Sequence, residues 1–395
     1  MTPRIPRTVI ALGLVSFFMD VSSETIHGLL PVFMTGTLGM SVALVGLIDG
    51  VAESTASISK VFSGYISDRI GRRKPLILLG YGLSAATKPL FPLAGGVGAI
   101  LFARFADRVG KGIRGAPRDA LITDITPPEI RGRAFGLRQA MDTVGAVLGP
   151  LLALGLMALF AGDMRAVFWV ATLPALLAVG CVLVGVEDQP ADGARGKARP
   201  PIDLKDLSRF DSGFWLLVGL GVVFTLARFS EGFLVLKAHA EGLPIMFAPL
   251  VLVALNVVYS AGAYPAGVLA DRMSATLLLV LGLAALVVAD MVLALGQGLG
   301  ASFIGIGLWG VHLALTQGLL SKLVADHAPP ELRGSAFGLF NLMTGLAMLL
   351  ASVTAGLVWD QISPAATFMV GAGFAGLAGV MVVIRAWLPT QPNTP

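Results

Sequence analysis

Asp124-Ile-Thr-Pro-Pro-Glu-Ile-Arg-Gly-Arg-Ala-Phe-Gly-Leu137 returns 202 residues later as Asp326-His-Ala-Pro-Pro-Glu-Leu-Arg-Gly-Ser-Ala-Phe-Gly-Leu339. The offset is about half of the 395-residue chain, so the sequence reads as two copies of one module in parallel order. In an apolar chain, a parallel repeat implies two membrane-embedded halves with a path between them.

Composition sets the class. Hydrophobic residues make up 55% of the chain and charged residues only 13%, about half the charged share of a soluble domain. Mean hydropathy is +0.83. Apolar runs of about 20 residues recur along the whole length, each able to cross a hydrocarbon core of about 30 Å. The 49 glycines and 23 prolines suit membrane helices, which tolerate both. A soluble globular fold is excluded.

The formal charge of +4 does not point to nucleic acid, because the basic residues lie in loops and at helix ends, not in a basic domain. The single cysteine, Cys181, permits no intramolecular disulfide and argues against a metal cluster. Arg4 and Arg7 precede a long first span that has no small-residue cleavage site, so the N-terminus reads as a retained helix and not a removed signal peptide.

The apolar runs predict twelve spans, at roughly 8–34, 42–67, 75–93, 98–120, 132–160 and 165–186, then 211–238, 245–270, 275–296, 300–325, 333–358 and 365–388. The expected organisation is an N-terminal six-helix bundle over 1–186, a Pro-, Gly- and charge-rich linker over 187–210, and a C-terminal six-helix bundle over 211–395. Lys and Arg are biased to alternate loops. Arg69, Arg72, Arg73 and Lys74 follow span two, Arg131 and Arg133 follow span four, the linker holds five basic residues, and Arg333 follows span ten. The intervening loops at 35–41 and 93–99 carry no charge. By the positive-inside rule, both termini and the even-numbered loops are expected in the cytoplasm of a cell-membrane protein.

The loop after span two reads Gly64-Tyr-Ile-Ser-Asp68-Arg69-Ile-Gly71-Arg72-Arg73-Lys74. An Asp at a helix end beside a cationic turn can pair with Arg or face a helix N-terminus, and so latch one conformation. A degenerate partner, Gly267-Val-Leu-Ala-Asp271-Arg272, follows span eight without the later Gly and basic residues. With twelve spans and a central linker, the chain resembles the major facilitator superfamily over its whole length. The resemblance implies an all-α fold of two pseudo-symmetric six-helix bundles that transports a solute by alternating access. It implies for Arg104 the position of a membrane-embedded Arg linked to proton coupling, although Arg108 stands where that motif usually carries a small Gly. Gly136, Gly145, Gly149 and Pro150 reproduce the spacing of an antiporter signature of the superfamily's exporters, with Ala153-Leu154 in place of its terminal Gly-Gly. Small residues on one face let helices approach closely, and Pro bends the span, so the same stripe also suits plain helix packing.

Ionisable residues inside spans are costly, so they are the default functional candidates. The first half carries Asp20, Glu24 and His27 in span one, and Asp49, Glu53 and Lys60 in span two. Arg104, Asp107, Arg108 and Lys111 follow in span four, and Arg138 and Asp142 in span five. Within a span their spacing of three, four or seven places them on one helical face. Counted from the span ends, most fall near mid-membrane depth. Asp20, Glu24, Asp49, Glu53 and Asp142 are the expected proton carriers, some of them alternatively satisfied ion pairs. Arg104, Asp107, Arg108, Arg138, Arg228, Glu231 and His312 are the expected cavity residues. His27 reads as a polar helix-end residue. Lys111, Arg114 and Arg118 read either as an attractor for an anionic substrate or as headgroup anchors, and Trp169, Trp215, Trp309 and Trp359 read as interfacial belts. The second half is quieter, which assigns coupling mainly to the first.

The sequence-level expectation is a secondary transporter, exporting a small organic solute against protons, with the lipid bilayer, protons and the solute as partners and a monomer as sufficient. Two alternatives stay open: an organic-anion exchanger or importer using Arg104, Arg108 and Lys88, and metal-ion export through Asp20, Glu24 and His27. No nucleophile–base constellation, metal-spaced His pair or phosphate-binding Gly-Lys-Ser/Thr loop is present, so no enzyme, cofactor or ATP-driven pump is expected. The short linker and tails offer no output domain for a sensor.

Overall fold

A computed structural model describes residues 5–187, 207, 209–328 and 332–387, so the expected linker at 187–210 lies almost entirely outside the described residues. The described residues are helical with no strand. In the first half, α1 (Arg7–His27) is followed by a short α2 (Leu30–Val32) and a π-helical turn, then α3 (Val42–Ile70), α4 (Lys74–Thr87), α5 (Leu90–Leu93), α6 (Val97–Ile125), α7 (Arg131–Leu159) and α8 (Met164–Gly185). The second half runs α9 (Ser212–Leu226), α10 (Gly232–Ala240), α11 (Leu250–Arg272), α12 (Ala275–Leu295), α13 (Gly298–Thr316), α14 (Leu319–His327), α15 (Arg333–Gln361) and α16 (Pro364–Trp387). The repeat persists in the geometry: α7 and α15 are both 29 residues long and begin 202 residues apart, at 131 and 333.

Local chemistry explains the boundaries. Ser41 accepts the Leu44 N–H at the start of α3, Asp211 accepts the Phe214 N–H at the start of α9, and Ser274 does the same for Leu277 at α12. Gly71 ends α3 at φ 69°, a left-handed conformation that glycine adopts without Cβ strain, and returns its N–H to Ser67. Along α8 and α12 the apolar surface faces outward as well as inward, with Leu173, Leu176, Leu177 and Leu281 exposed, as a lipid-facing helix requires.

Ten helical stretches among the described residues are long and apolar enough to cross a membrane. The two remaining expected spans depart for identifiable reasons. Expected span four lengthens to Val97–Ile125, and its charges remove it from the apolar class. Expected span seven is not one helix: α9 is only 15 residues long, and Ala227–Glu231 is a non-helical break before α10. Expected span ten is likewise split, at Gln317–Gly318, where Gly318 takes φ 77°. Non-helical backbone inside a membrane protein is stable only where protein or a water-filled cavity surrounds it.

The two halves meet along α3 and α15. A Cβ on Gly46 would lie 2.2 Å from the Ser352 carbonyl oxygen, and one on Gly356 2.8 Å from that of Val42, so the two backbones approach as only glycine permits. Further contacts between the halves lie towards the end away from the termini: Gly28 against Pro249, Pro31 against Gly232, and α7 against residues 245–247. There the Asp360 carboxylate accepts the N–H groups of Val42 and Ala43.

Candidate functional site

Between the halves lies a cavity of about 360 Å³. From the first half, Glu24, His27, Asp49, Glu53, Arg104, Arg108 and Lys111 line it; from the second come Arg228, Glu231, Asn256 and Trp309. The break between α9 and α10 delivers Arg228, Ser230 and Glu231 to its wall.

Its two embedded guanidiniums are held tightly. Arg104 pairs with Asp49 at 2.6 Å, and Arg108 with Glu53 at 3.0 Å. Both also donate to His27 Nε2, Arg108 at 2.6 Å. The His27 ring therefore sits between the two guanidiniums, with Arg108 also 3.5 Å from its Nδ1. That Nδ1 lies 3.5 Å from the Glu24 carboxylate. His27 is the last residue of α1, as its helix-end reading required, but its side chain cross-links both arginines instead of facing a headgroup.

Asp49 also reaches across the halves. Its second oxygen accepts the Ser230 hydroxyl at 2.7 Å, and Ser230 in turn accepts the Gly232 N–H. Asn256 makes a second crossing, donating to the Ala146 carbonyl at 3.1 Å. Neither Ser230 nor Asn256 is ionisable, so a search for embedded charges passes over them. The signal available for Ser230 was its place in the run Arg228-Phe-Ser-Glu231, too polar for a continuous span.

The other candidates sort into different surroundings, because equal depth does not imply a shared face. Asp20 and Asp142 line a second cavity of about 350 Å³ inside the first half, with Tyr81, Arg114 and Arg118. Glu53 and Lys111 line both cavities. Arg138 pairs with Asp142 at 2.7 Å, and the other Asp142 oxygen is buried without a hydrogen bond. Arg114 and Arg118 therefore do not sit at headgroups: Arg114 stacks 4.5 Å over the Tyr81 ring, and Arg118 donates to Ser16 and Tyr81. Asp107 lines neither cavity; it forms a fully buried pair with Lys88 at 3.0 Å.

His312, expected in the cavity, is fully buried away from its wall, its Nδ1–H donating to the Gly282 carbonyl at 2.8 Å and its ring packing on Phe224 and Trp309. Trp309 corrects the interfacial reading of the tryptophans. It is 1% exposed, donates to Asp290 at 2.8 Å and forms part of the cavity wall. Trp359 packs on Phe233 and Phe368, whereas Trp169 and Trp215 are exposed. No group of three or more His, Cys, Asp or Glu residues among the described residues is arranged to hold a metal ion.

The loop motif lies apart from the cavities. Arg73 is buried and donates to Asp68 at 2.5 Å, to Ser67 at 2.8 Å and to Asp124 at 3.3 Å, joining the loop after α3 to the end of α6. Arg69 reaches Tyr65, Arg72 is exposed, and Gly64 faces Ala116. In the glycine stripe, Cβ atoms on Gly145 and Gly149 would meet the α1 backbone at 2.8 and 2.9 Å, beside Asp20 and Glu24. Gly136 has open space, and Pro150 is buried within α7.

The Major Facilitator Superfamily family model matches residues 12–352 and again 239–395. The chain belongs to the major facilitator superfamily. This superfamily member is 31% identical over 386 residues to an MFS-type transporter of Methanocaldococcus jannaschii, covering 96% of this chain and 95% of the relative. It is 32% identical over 143 residues to the multidrug resistance protein MdtH of Yersinia enterocolitica, covering 36% of this chain and 35% of MdtH. Among solved structures it is similar to a nucleoside transporter NupG variant, with a TM-score of 0.79 at 14% identity over 96% of this chain and 99% of that one, a likeness of fold alone. The protein is thus an integral membrane secondary transporter with the major facilitator fold.

Proposed function

We propose that this superfamily member exports a small organic solute from the cytoplasm in exchange for protons, by alternating access around the inter-half cavity. The observation that carries the reading is the pair of cavity-facing carboxylates left outside the arginine network, Glu24 and Glu231, one from each half. Asp49 and Glu53 are committed to Arg104 and Arg108, so they serve to hold those cations in place. Asp20 and Asp142 in the second cavity, which shares Glu53 and Lys111 with the first, form the proposed proton route on the side of the termini. The basic even-numbered loops favour cytoplasmic termini, so the contacts around Asp360 close the outer side. The stretch of similarity to MdtH supports export. The Asp68–Arg73–Asp124 cluster is the proposed conformational latch.

The test is counter-flow in proteoliposomes with a trapped pH dye and a panel of cationic drugs, organic acids and amino compounds. Proton movement opposite to the flux of one panel compound, lost in Glu24→Gln, is expected. Solute flux with no pH signal would overturn proton exchange and return Glu24 and Asp142 to structural roles.

A further inference from the structure

The arginines that first suggest an anion site are already neutralised. Arg104 and Arg108 each hold a carboxylate and share His27, and Lys88 is closed into its buried pair with Asp107. What remains facing the inter-half cavity is a different set. The side chains of Lys111 and Arg228 make no hydrogen bond or ion pair with any described residue; the Arg228 guanidinium lies 5.6 Å from the centroid of the Phe224 ring, and its Nε is buried without a hydrogen-bond partner. The Glu231 carboxylate likewise has none, and the Glu24 carboxylate has only the 3.5 Å approach of His27. Each half therefore contributes one free cation and one free anion: Lys111 and Glu24 from the first, Arg228 and Glu231 from the second.

We infer that the cavity takes a dipolar solute, with a carboxylate held by Arg228 and Lys111 and an ammonium held by Glu24 and Glu231. This rests on the transport reading above and names its substrate class. In a low-dielectric site an unmatched charge is expensive, so a ligand of one sign leaves the opposite pair unsatisfied. A dipolar ligand satisfies all four groups and adds no net charge. Its ends also draw on residues of both halves, so its binding rewards their approach. Leu30, Val235, Leu252 and Met348 complete the wall and suit a short aliphatic body, and the volume of about 360 Å³ lies at the small end for ligand cavities. The substrate's ammonium competes with protons for Glu24 and Glu231, which is the requirement for exchange of one for the other.

The experiment is thermal stabilisation and calorimetric titration of the purified full-length protein with matched probes: γ-aminobutyrate, β-alanine and alanylalanine as dipolar compounds, butylamine and butyrate as their single-charge counterparts. At least one dipolar probe is expected to bind about tenfold more tightly than either counterpart. Arg228→Gln is expected to erase the preference over butylamine, and Glu231→Gln the preference over butyrate. Equal affinity for butyrate or butylamine, or no dipolar probe binding, overturns the inference. Should Arg228→Gln fail to fold, Glu231→Gln alone still decides it, since that side chain is open to the cavity. Dipolar preference without proton movement in vesicles supports the substrate class and removes proton exchange; proton-coupled flux of a permanent cation with no dipolar binding does the reverse.

Discussion

The Asp360 carboxylate receives the Ala43 backbone N–H at 2.7 Å, so a residue near the end of α15 caps the first turn of α3 across the boundary between the halves. The first N–H groups of a helix lack intrahelical partners, and a carboxylate there also meets the positive end of the helix dipole. Val42 donates to the other oxygen of the same carboxylate at 3.2 Å.

Asp360→Ala is therefore expected to weaken the seal at this end by about 1 kcal/mol, the usual worth of a helix cap, which is roughly a fivefold shift in the open population. A cysteine placed at Asn256, in a Cys181→Ala background, reads this out through its labelling by an impermeant maleimide from the outer side. Labelling should rise about fivefold with Asp360→Ala. An unchanged rate would mean that the α3–α15 packing alone holds the seal.

Gly149 and Gly136 share the same sequence motif but not the same surroundings. Gly149→Leu drives a side chain into the Glu24 Cβ and the Val21 carbonyl, so transport and the folded yield should both collapse. Gly136→Ala meets nothing and should raise helix stability by about 0.5–1 kcal/mol with activity retained. Thermal denaturation and vesicle flux of the two variants compare them directly; equal tolerance would remove close packing as the reason for Gly149.

The buried pair Lys88–Asp107 gives a stability test free of the cavities. Lys88→Met leaves Asp107 charged and unpaired, at a cost of about 3–5 kcal/mol. Lys88→Met with Asp107→Leu removes both charges and should recover most of the loss. A double variant no more stable than the single would show that the pair contributes through packing or Ser23, to which Lys88 also donates.

At the loop after α10, Lys237 donates to Glu241 and the Gly298 N–H does so at 2.6 Å; the two together hold that carboxyl below its usual range. A depressed folded value means the stabilisation is fully present above the ordinary glutamate range, near pH 4–5, and is lost as pH falls through the lower folded value. Glu241→Gln should destabilise the fold at neutral pH by under about 1 kcal/mol, seen as a lower melting temperature, and flatten the acid limb of its pH profile. An unaltered acid limb would place the acid-labile group elsewhere.

Much of the fold was legible because its signals are local. Apolar runs and the Asp124/Asp326 repeat are patterns carried by the chain itself, and the bilayer permits few structures for such runs. The embedded charges were legible as a set, but not their partners. Spacing along one helix shows which face Arg104 and Arg108 share; it does not show that Asp49, Glu53 and His27 arrive from two other helices to neutralise them.

The sequence by itself determined the membrane-spanning helices, their duplication and the superfamily, since each follows from residues close in the chain or from a motif repeated along it. Only the tertiary structure decided which charges are spent on one another and which stay free. It broke expected span seven at Ala227–Glu231, turned Trp309 inward onto Asp290, and brought Lys111 and Glu24 to the same cavity as Arg228 and Glu231. Those outcomes depend on how separate helices pack, and pairing in a low-dielectric interior is a property of neighbours in space, not in sequence.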